Sequence, residues 1–178
     1  VISLGGIVTS ESIKVGGNAI DEAIVNYLKR TNGIVVSTEI AEKLKIELGA
    51  AETLVTELTK EVKGRDIDSG VLKNVSISSK QIETAMRRPI EEIIDAIITT
   101  ISNTPPELVT DIMENGIYLA GGGALIKNLD NYIAQRTGVQ TYIAETPLDC
   151  VAIGTGKILS EMDKYKTIFL SRKSRKNK

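Results

Sequence analysis

An apolar run, Ile117-Tyr118-Leu119-Ala120, leads directly into Gly121-Gly122-Gly123, and a segment with helical spacing follows over 124–136, with Leu125, Leu129, Tyr132 and Ile133 inward. A strand that turns through three glycines into a helix commits this part of the chain to α/β layering, because strand and helix must cover each other's apolar faces. The glycines permit backbone angles and close approaches that a Cβ would block, and the first turn of a helix carries unpaired N–H groups. Such a bend suits a nucleotide, and it equally suits a plain tight turn; the residues alone leave both open. The segment is neither a Walker A loop nor a G-x-G-x-x-G fingerprint. Gly154-Thr155-Gly156-Lys157 approaches the Walker A ending, but Ile158 stands where Ser or Thr is required, so those glycines read as helix-packing contacts.

The rest of the chain repeats the alternation. Val1 to Leu4 reads as a strand, Gly5-Gly6 as a hairpin turn, and Ile7 to Val15 as the returning strand. Ile20, Ala23, Ile24, Tyr27 and Leu28 recur at helical spacing after Gly16-Gly17, with Asp21 and Glu22 suited to the positive end of the helix dipole. A second helix is expected from the N-cap Thr38 to Gly49, with Ala41, Leu44 and Leu48 on one face. Residues 52–77 are rich in Thr, Val and turn residues and read as a β-hairpin. Ser78-x-x-Gln81 fits a capping box, and Pro89 predicts a kink or restart before the stripe Ile90, Ile93, Ile94, Ile97, Ile98 and Ile101, a core or packed face. Glu91, Glu92 and Asp95 are expected only to solvate the opposite face. Thr104-Pro105-Pro106 opens a helix that Gly116 closes; Gly138 ends the helix after the glycine bend. Val139 to Ile143 is a strand, and Pro147 to Leu159 a last helix.

Composition narrows the chemistry. With no His and one Cys, Cys150, in 178 residues, Ser-His-Asp and Cys-His nucleophiles, His-ligated zinc and intrachain disulfides are excluded. No apolar run reaches the 18 or so residues that span a bilayer. The net charge of −1 hides an asymmetry: residues 166–178 hold six Lys or Arg and no acid, leaving sixteen basic against twenty-three acidic residues elsewhere. That tail reads as a disordered, solvated terminus, as a contact for anionic lipid, or as a nucleic-acid contact. The last is disfavoured because aromatics are only 3% of the chain, so no nucleic-acid partner is expected. Glu42 and Lys45, three apart on one helix, read as a solvated ion pair.

VISLGGIVTSESIKVGGNAIDEAIVNYLKR, VKGRDIDSGVLKNVSIS, NTPPELVTDIMENGIYLAGGGALIKNLD and ETPLDCVAIGTGK together resemble the C-terminal half of the MreB family, the bacterial actin-like rod shape-determining proteins. The resemblance covers nearly all of residues 1–165. It implies an α/β fold, the second lobe of an actin-like (ribonuclease H-like) ATPase with an inserted α+β subdomain. Residues 1–16 and 80–165 would form the core subdomain, 17–79 the smaller insert, and 166–178 the disordered basic tail. By motif, Gly121, Gly122, Gly123 and Ala124 match the family's adenosine loop, and Glu42 and Lys45 its E-x-x-K position, which closes over adenosine. Asp149 to Gly156 resembles an interdomain connecting segment. Val36-Ser37-Thr38-Glu39-Ile40 departs from the family's Gly-Glu-Arg-Thr.

The implied function is structural: an ATP-binding (with Mg2+), weakly hydrolysing cytoskeletal protein. It would self-associate into filaments at the cytoplasmic face of the cell membrane and organise cell-wall synthesis with morphogenesis partners. The alternatives are a small-molecule kinase of the same superfamily and a chaperone ATPase. The resemblance also places the phosphate-binding hairpin and the first lobe outside this sequence, so the chain is expected to be a fragment that does not hydrolyse ATP unaided.

Overall fold

The computed structural model describes residues 1–162; the basic tail at 166–178 lies outside the described residues. The chain opens on a hairpin, β1 (Ile2–Ser3) antiparallel to β2 (Gly6–Ile7). Its turn is Leu4-Gly5, with φ of 50° and 75°, the two positive values that match a tight turn to strand twist. The turn therefore sits one residue earlier than expected. The returning strand extends only to Ile7, although the Val8 N–H still meets the Val1 carbonyl and the Val1 amine donates to the Thr9 carbonyl.

Helix α1 (Gly17–Thr31) buries Ile20, Ile24 and Leu28 and is followed by Gly33 at φ 66°. A strand not foreseen in the sequence, β3 (Ile34–Val35), links it to α2 (Thr38–Leu48), which is capped by the Ser37 hydroxyl rather than by Thr38. β3 pairs antiparallel with β4 (Thr59–Asp66), and β4 with β5 (Leu72–Ser78), the expected hairpin. Gly64 makes the third strand possible: a Cβ there would lie 2.9 Å from the Ile34 Cβ. The β4–β5 turn is tied by Asp66, whose carboxylate accepts the Ser69 and Asp68 N–H groups; the Ser69 bonds foremost hold that carboxyl below its ordinary range.

Helix α3 (Ser79–Ser102) starts at the expected Ser78–Gln81 capping box and runs through Pro89 without restarting. One lost backbone bond is outweighed by burial: Ile82, Met86, Ile90 and Ile94 are all 2% exposed or less. After α4 (Pro106–Asn115) come β6 (Ile117–Leu119), a 3-10 turn (Gly122–Leu125), α5 (Leu129–Thr137), β7 (Thr141–Ile143), parallel to β6, and α6 (Cys150–Ser160). The helix expected over 124–136 is thus split. The Lys127 carbonyl accepts the Ala51 N–H at 2.8 Å, and Asn128 takes φ 60°, so backbone pairing from a distant segment overrides the local period. Leu125, expected inward, is exposed. Gly154 and Gly156 have open space where a Cβ would stand, so among the described residues they are not the close helix contacts expected. One buried cluster runs from Ile24 and Leu44 through Met86 and Ile94 to Ile126 and Ile133, joining α1, α2, α3 and α5.

Candidate functional site

A cavity of about 850 Å³ opens between the first hairpin and the β6–β7 pair. Val1 to Ser3 line one side and Gly116 to Tyr118 the other; Ile93, Ile97 and Ile101 from α3 and Ile112 from α4 supply apolar walls. The isoleucine stripe therefore divides. Ile90 and Ile94 enter the core, while Ile93, Ile97 and Ile101 line the cavity. Among the described residues β1 pairs only with β2 and β6 only with β7, so each strand brings a free edge to this opening.

Gly16 and Gly17, at the start of α1, and Gly123 of the glycine bend line the same cavity. Of the three glycines in the bend, only Gly121 is demanded by the backbone. It holds φ 82° and ψ 173°, a region open essentially to glycine alone, and its N–H is bonded to the Pro147 carbonyl at 2.6 Å. A Cβ at Gly122 would make an ordinary contact with Leu148, and one at Gly123 would meet nothing. Gly123 thus leaves bare backbone facing open space and Gly122 lies beside Leu148, while Ala124 is buried and anchors the turn.

Lys45 does not pair with Glu42. Its ammonium crosses from α2 to α1 and lies 2.9 and 3.0 Å from the two carboxylate oxygens of Asp21. Both side chains are at most 14% exposed, whereas Glu42 is exposed and makes no ion pair among the described residues. A buried carboxylate without a counter-charge costs far more than an exposed one, and that decides which acid holds the lysine. The lysine head also lies beside Gly17, 3.4 Å from where a Cβ would be. Lys45 is not itself part of the cavity lining; it touches Gly17, which lines the cavity together with Gly123. Further along α2, the Lys127 ammonium donates to the Glu47 carbonyl, and the Ala51 N–H to the Lys127 carbonyl. The helix carrying Lys45 is thereby strapped to the segment that follows the glycine bend.

No functional role for Asp21 followed from the residues alone. The available signal was its spacing, three before Ile24 and seven before Leu28, which puts an acid on the buried stripe of α1. Glu91, expected only to solvate α3, accepts hydrogen bonds from Arg136 and Tyr132 and so ties α3 to α5. Those bonds, the Arg136 one foremost, hold the Glu91 carboxyl below the ordinary range, and the bond to Glu91 pushes the Tyr132 hydroxyl up. Glu92 pairs with Arg88 on the surface, and buried Glu83 accepts from Thr53 and Arg87. Among the described residues, no group of three or more His, Cys, Asp or Glu side chains is placed to hold a metal ion, and no helix is long and apolar enough to cross a membrane.

Comparison with known proteins places this geometry. The family model for MreB/Mbl protein matches residues 1–167. The chain is 41% identical over 165 residues to the cell shape-determining protein MreB of Escherichia coli K12, covering 93% of this chain and 48% of that protein. It is 40% identical over 164 residues to the cell shape-determining protein Mbl of Bacillus subtilis 168, covering 92% and 49%. The crystal structure of MreB5 of Spiroplasma citri bound to ADP superposes with a TM-score of 0.87 at 40% identity, covering 93% of this chain and 50% of that one. The chain spans about half the length of the curated relatives it matches.

Proposed function

The chain belongs to the MreB/Mbl family, and on that premise we propose that it is the adenosine-gripping lobe of a filament-forming protein that determines cell shape. Its fold is that of an actin-like ATPase lobe. The observation that carries the nucleotide reading is convergence. Gly123 of the bend and Gly17, against which the Lys45 head lies, line one cavity, and hydrogen bonds at Lys127 strap α2 and the residues after it to the segment that follows the bend. The MreB5 relative is seen with ADP and with AMPPNP, which supports the same ligand class.

The residues fit an adenosine. Gly122 and Gly123 offer a surface without side chains, on which a base and ribose can lie closely. Lys45 supplies a fixed cation, and the apolar side chains behind keep water from the base. In this reading Gly121, Gly122, Gly123 and Ala124 form the adenosine seat on a core of residues 1–16 and 80–165. Glu42 and Lys45 close over it from the insert at 17–79. ATP, with Mg2+ on its phosphates, supplies the anhydride whose cleavage changes the closure between lobes. The full-length protein self-associates into filaments on the inner face of the cell membrane and positions wall-synthesis proteins there. Two measurements on the full-length protein test this: calorimetric titration with ATP, and electron microscopy across concentration and salt. Binding together with ATP-dependent protofilaments is expected; failure to bind, or monomers under all conditions, refutes it.

A further inference from the structure

We propose that Asp21 is the positioning residue of the adenosine grip, a buried carboxylate that fixes the Lys45 ammonium against Gly17, one of the glycines that line the cavity. This rests on the reading that the cavity edge receives adenosine.

The energetics single the pair out. Asp21 and Lys45 sit in an α1–α2 contact otherwise made of Ile20, Ile24, Ala41, Leu44 and Leu48, all at most 3% exposed. Desolvating two charges largely cancels their attraction, and apolar replacements of similar volume are often as stable or more so. Stability alone therefore gives little reason for an ion pair here; holding one group in one place does.

The geometry says what is held. A lysine on an exposed helix face samples many rotamers, and Glu42 is available as a partner three residues away. The Lys45 head instead crosses to α1. It donates one aligned hydrogen bond, to Asp21 Oδ2 at 3.0 Å, and approaches Oδ1 at 2.9 Å in ion-pair contact without an aligned bond. An ammonium has three donors, so two N–H directions remain without an acceptor among the described residues. The head lies against Gly17, 3.4 Å from where a Cβ would stand, and Gly17 lines the cavity. Asp21 thus removes the rotamer freedom of Lys45 before a ligand arrives, so that binding does not have to.

The test uses the full-length protein with ADP as probe, comparing wild type, Asp21→Asn, Asp21→Glu, Lys45→Met and Asp21→Asn/Lys45→Met. Two readouts are taken: ADP affinity by calorimetry, and the rate of Lys45 acylation by an amine-reactive ester, followed by mass spectrometry. Asp21→Asn should weaken ADP binding roughly tenfold or more, the scale of one displaced hydrogen bond to a charged group, and should speed Lys45 acylation several-fold. In the Lys45→Met background the same Asn substitution should leave ADP affinity unchanged. Asp21→Glu keeps the charge and the fold but moves the head, so it should weaken binding while retaining the melting temperature. A merely structural Asp21 predicts a lowered melting temperature with wild-type affinity in whatever remains folded, and that outcome overturns the proposal. Unchanged acylation in Asp21→Asn overturns it as well, without reference to nucleotide. Wild-type protein that shields Lys45 in an Asp21-dependent manner yet binds no ADP would sink the adenosine reading instead, and with it the role of Asp21 in gripping.

Discussion

The three glycines 116, 121 and 123 allow the backbone and the cavity to be tested separately by one substitution, to alanine. Gly116 (φ 81°, ψ −177°) and Gly121 (φ 82°, ψ 173°) occupy the same glycine-only region, so alanine at either costs about 1–3 kcal/mol in backbone strain. Their surroundings differ. At Gly116 the new methyl would also sit 2.6 Å from the Gln140 carbonyl oxygen and 2.7 Å from the Tyr142 ring. That clash between β6 and β7 adds about 1–3 kcal/mol of overpacking. Gly116→Ala should therefore cost about 2–6 kcal/mol, against a typical total of roughly 5–15 kcal/mol, and Gly121→Ala about 1–3. Gly123 has neither a positive φ nor a neighbour within 4 Å, so Gly123→Ala should shift stability by no more than about 0.5–1 kcal/mol and in the favourable direction. Urea unfolding of the three variants, with equal slopes, measures the series. ADP titration of the full-length protein should then show Gly123→Ala, the most stable of the three, losing affinity, because its methyl enters the space assigned to adenosine. Equal costs at 116 and 121, or Gly123→Ala unfolding as readily as Gly121→Ala, would refute the reasoning from surroundings. Wild-type ADP affinity in Gly123→Ala would remove that residue from the seat.

Two further outcomes are expected. The carboxyl of Glu91 titrates below its ordinary value of 4.5 in the folded chain because Arg136 and Tyr132 hold its charged form. Its contribution is therefore full above about pH 4.5 and is lost as pH falls through the folded value, so the stability gap between wild type and Glu91→Gln, measured by denaturant titration at several pH values, should be flat near neutrality and close on acidification. On α6, Gly154→Ala and Gly156→Ala place a methyl in open space and should each stabilise the helix by up to about 1 kcal/mol; a loss of helical circular dichroism or of stability would show that something packs on that face.

What was legible in the residues was local. The Ser78–Gln81 box set the start of α3, Gly33, Gly116 and Gly138 closed their helices, and the buried faces of α1 and α2 followed from period 3.6, because caps and amphipathic stripes are decided within one or two turns of chain. Of the kink or restart expected at Pro89, the restart is absent: its local penalty is real, but the burial of Ile82, Met86, Ile90 and Ile94 is not visible from neighbours in sequence. The glycine bend was found by pattern, but which glycine the backbone requires was not, since φ and open space belong to the assembled turn.

The sequence by itself determined the alternation of helices and strands, the exclusion of His- and Cys-based chemistry, and the family. Only the tertiary structure decided that Lys45 answers to Asp21 rather than Glu42, that β3 joins β4 over Gly64, and that half of the isoleucine stripe lines a cavity. The physical reason is shared by all three. A charge or a methyl group takes the partner that lowers its desolvation cost in the packed molecule, and which partner is near enough is fixed by how the helices and strands come together, a relation between segments that no local spacing encodes.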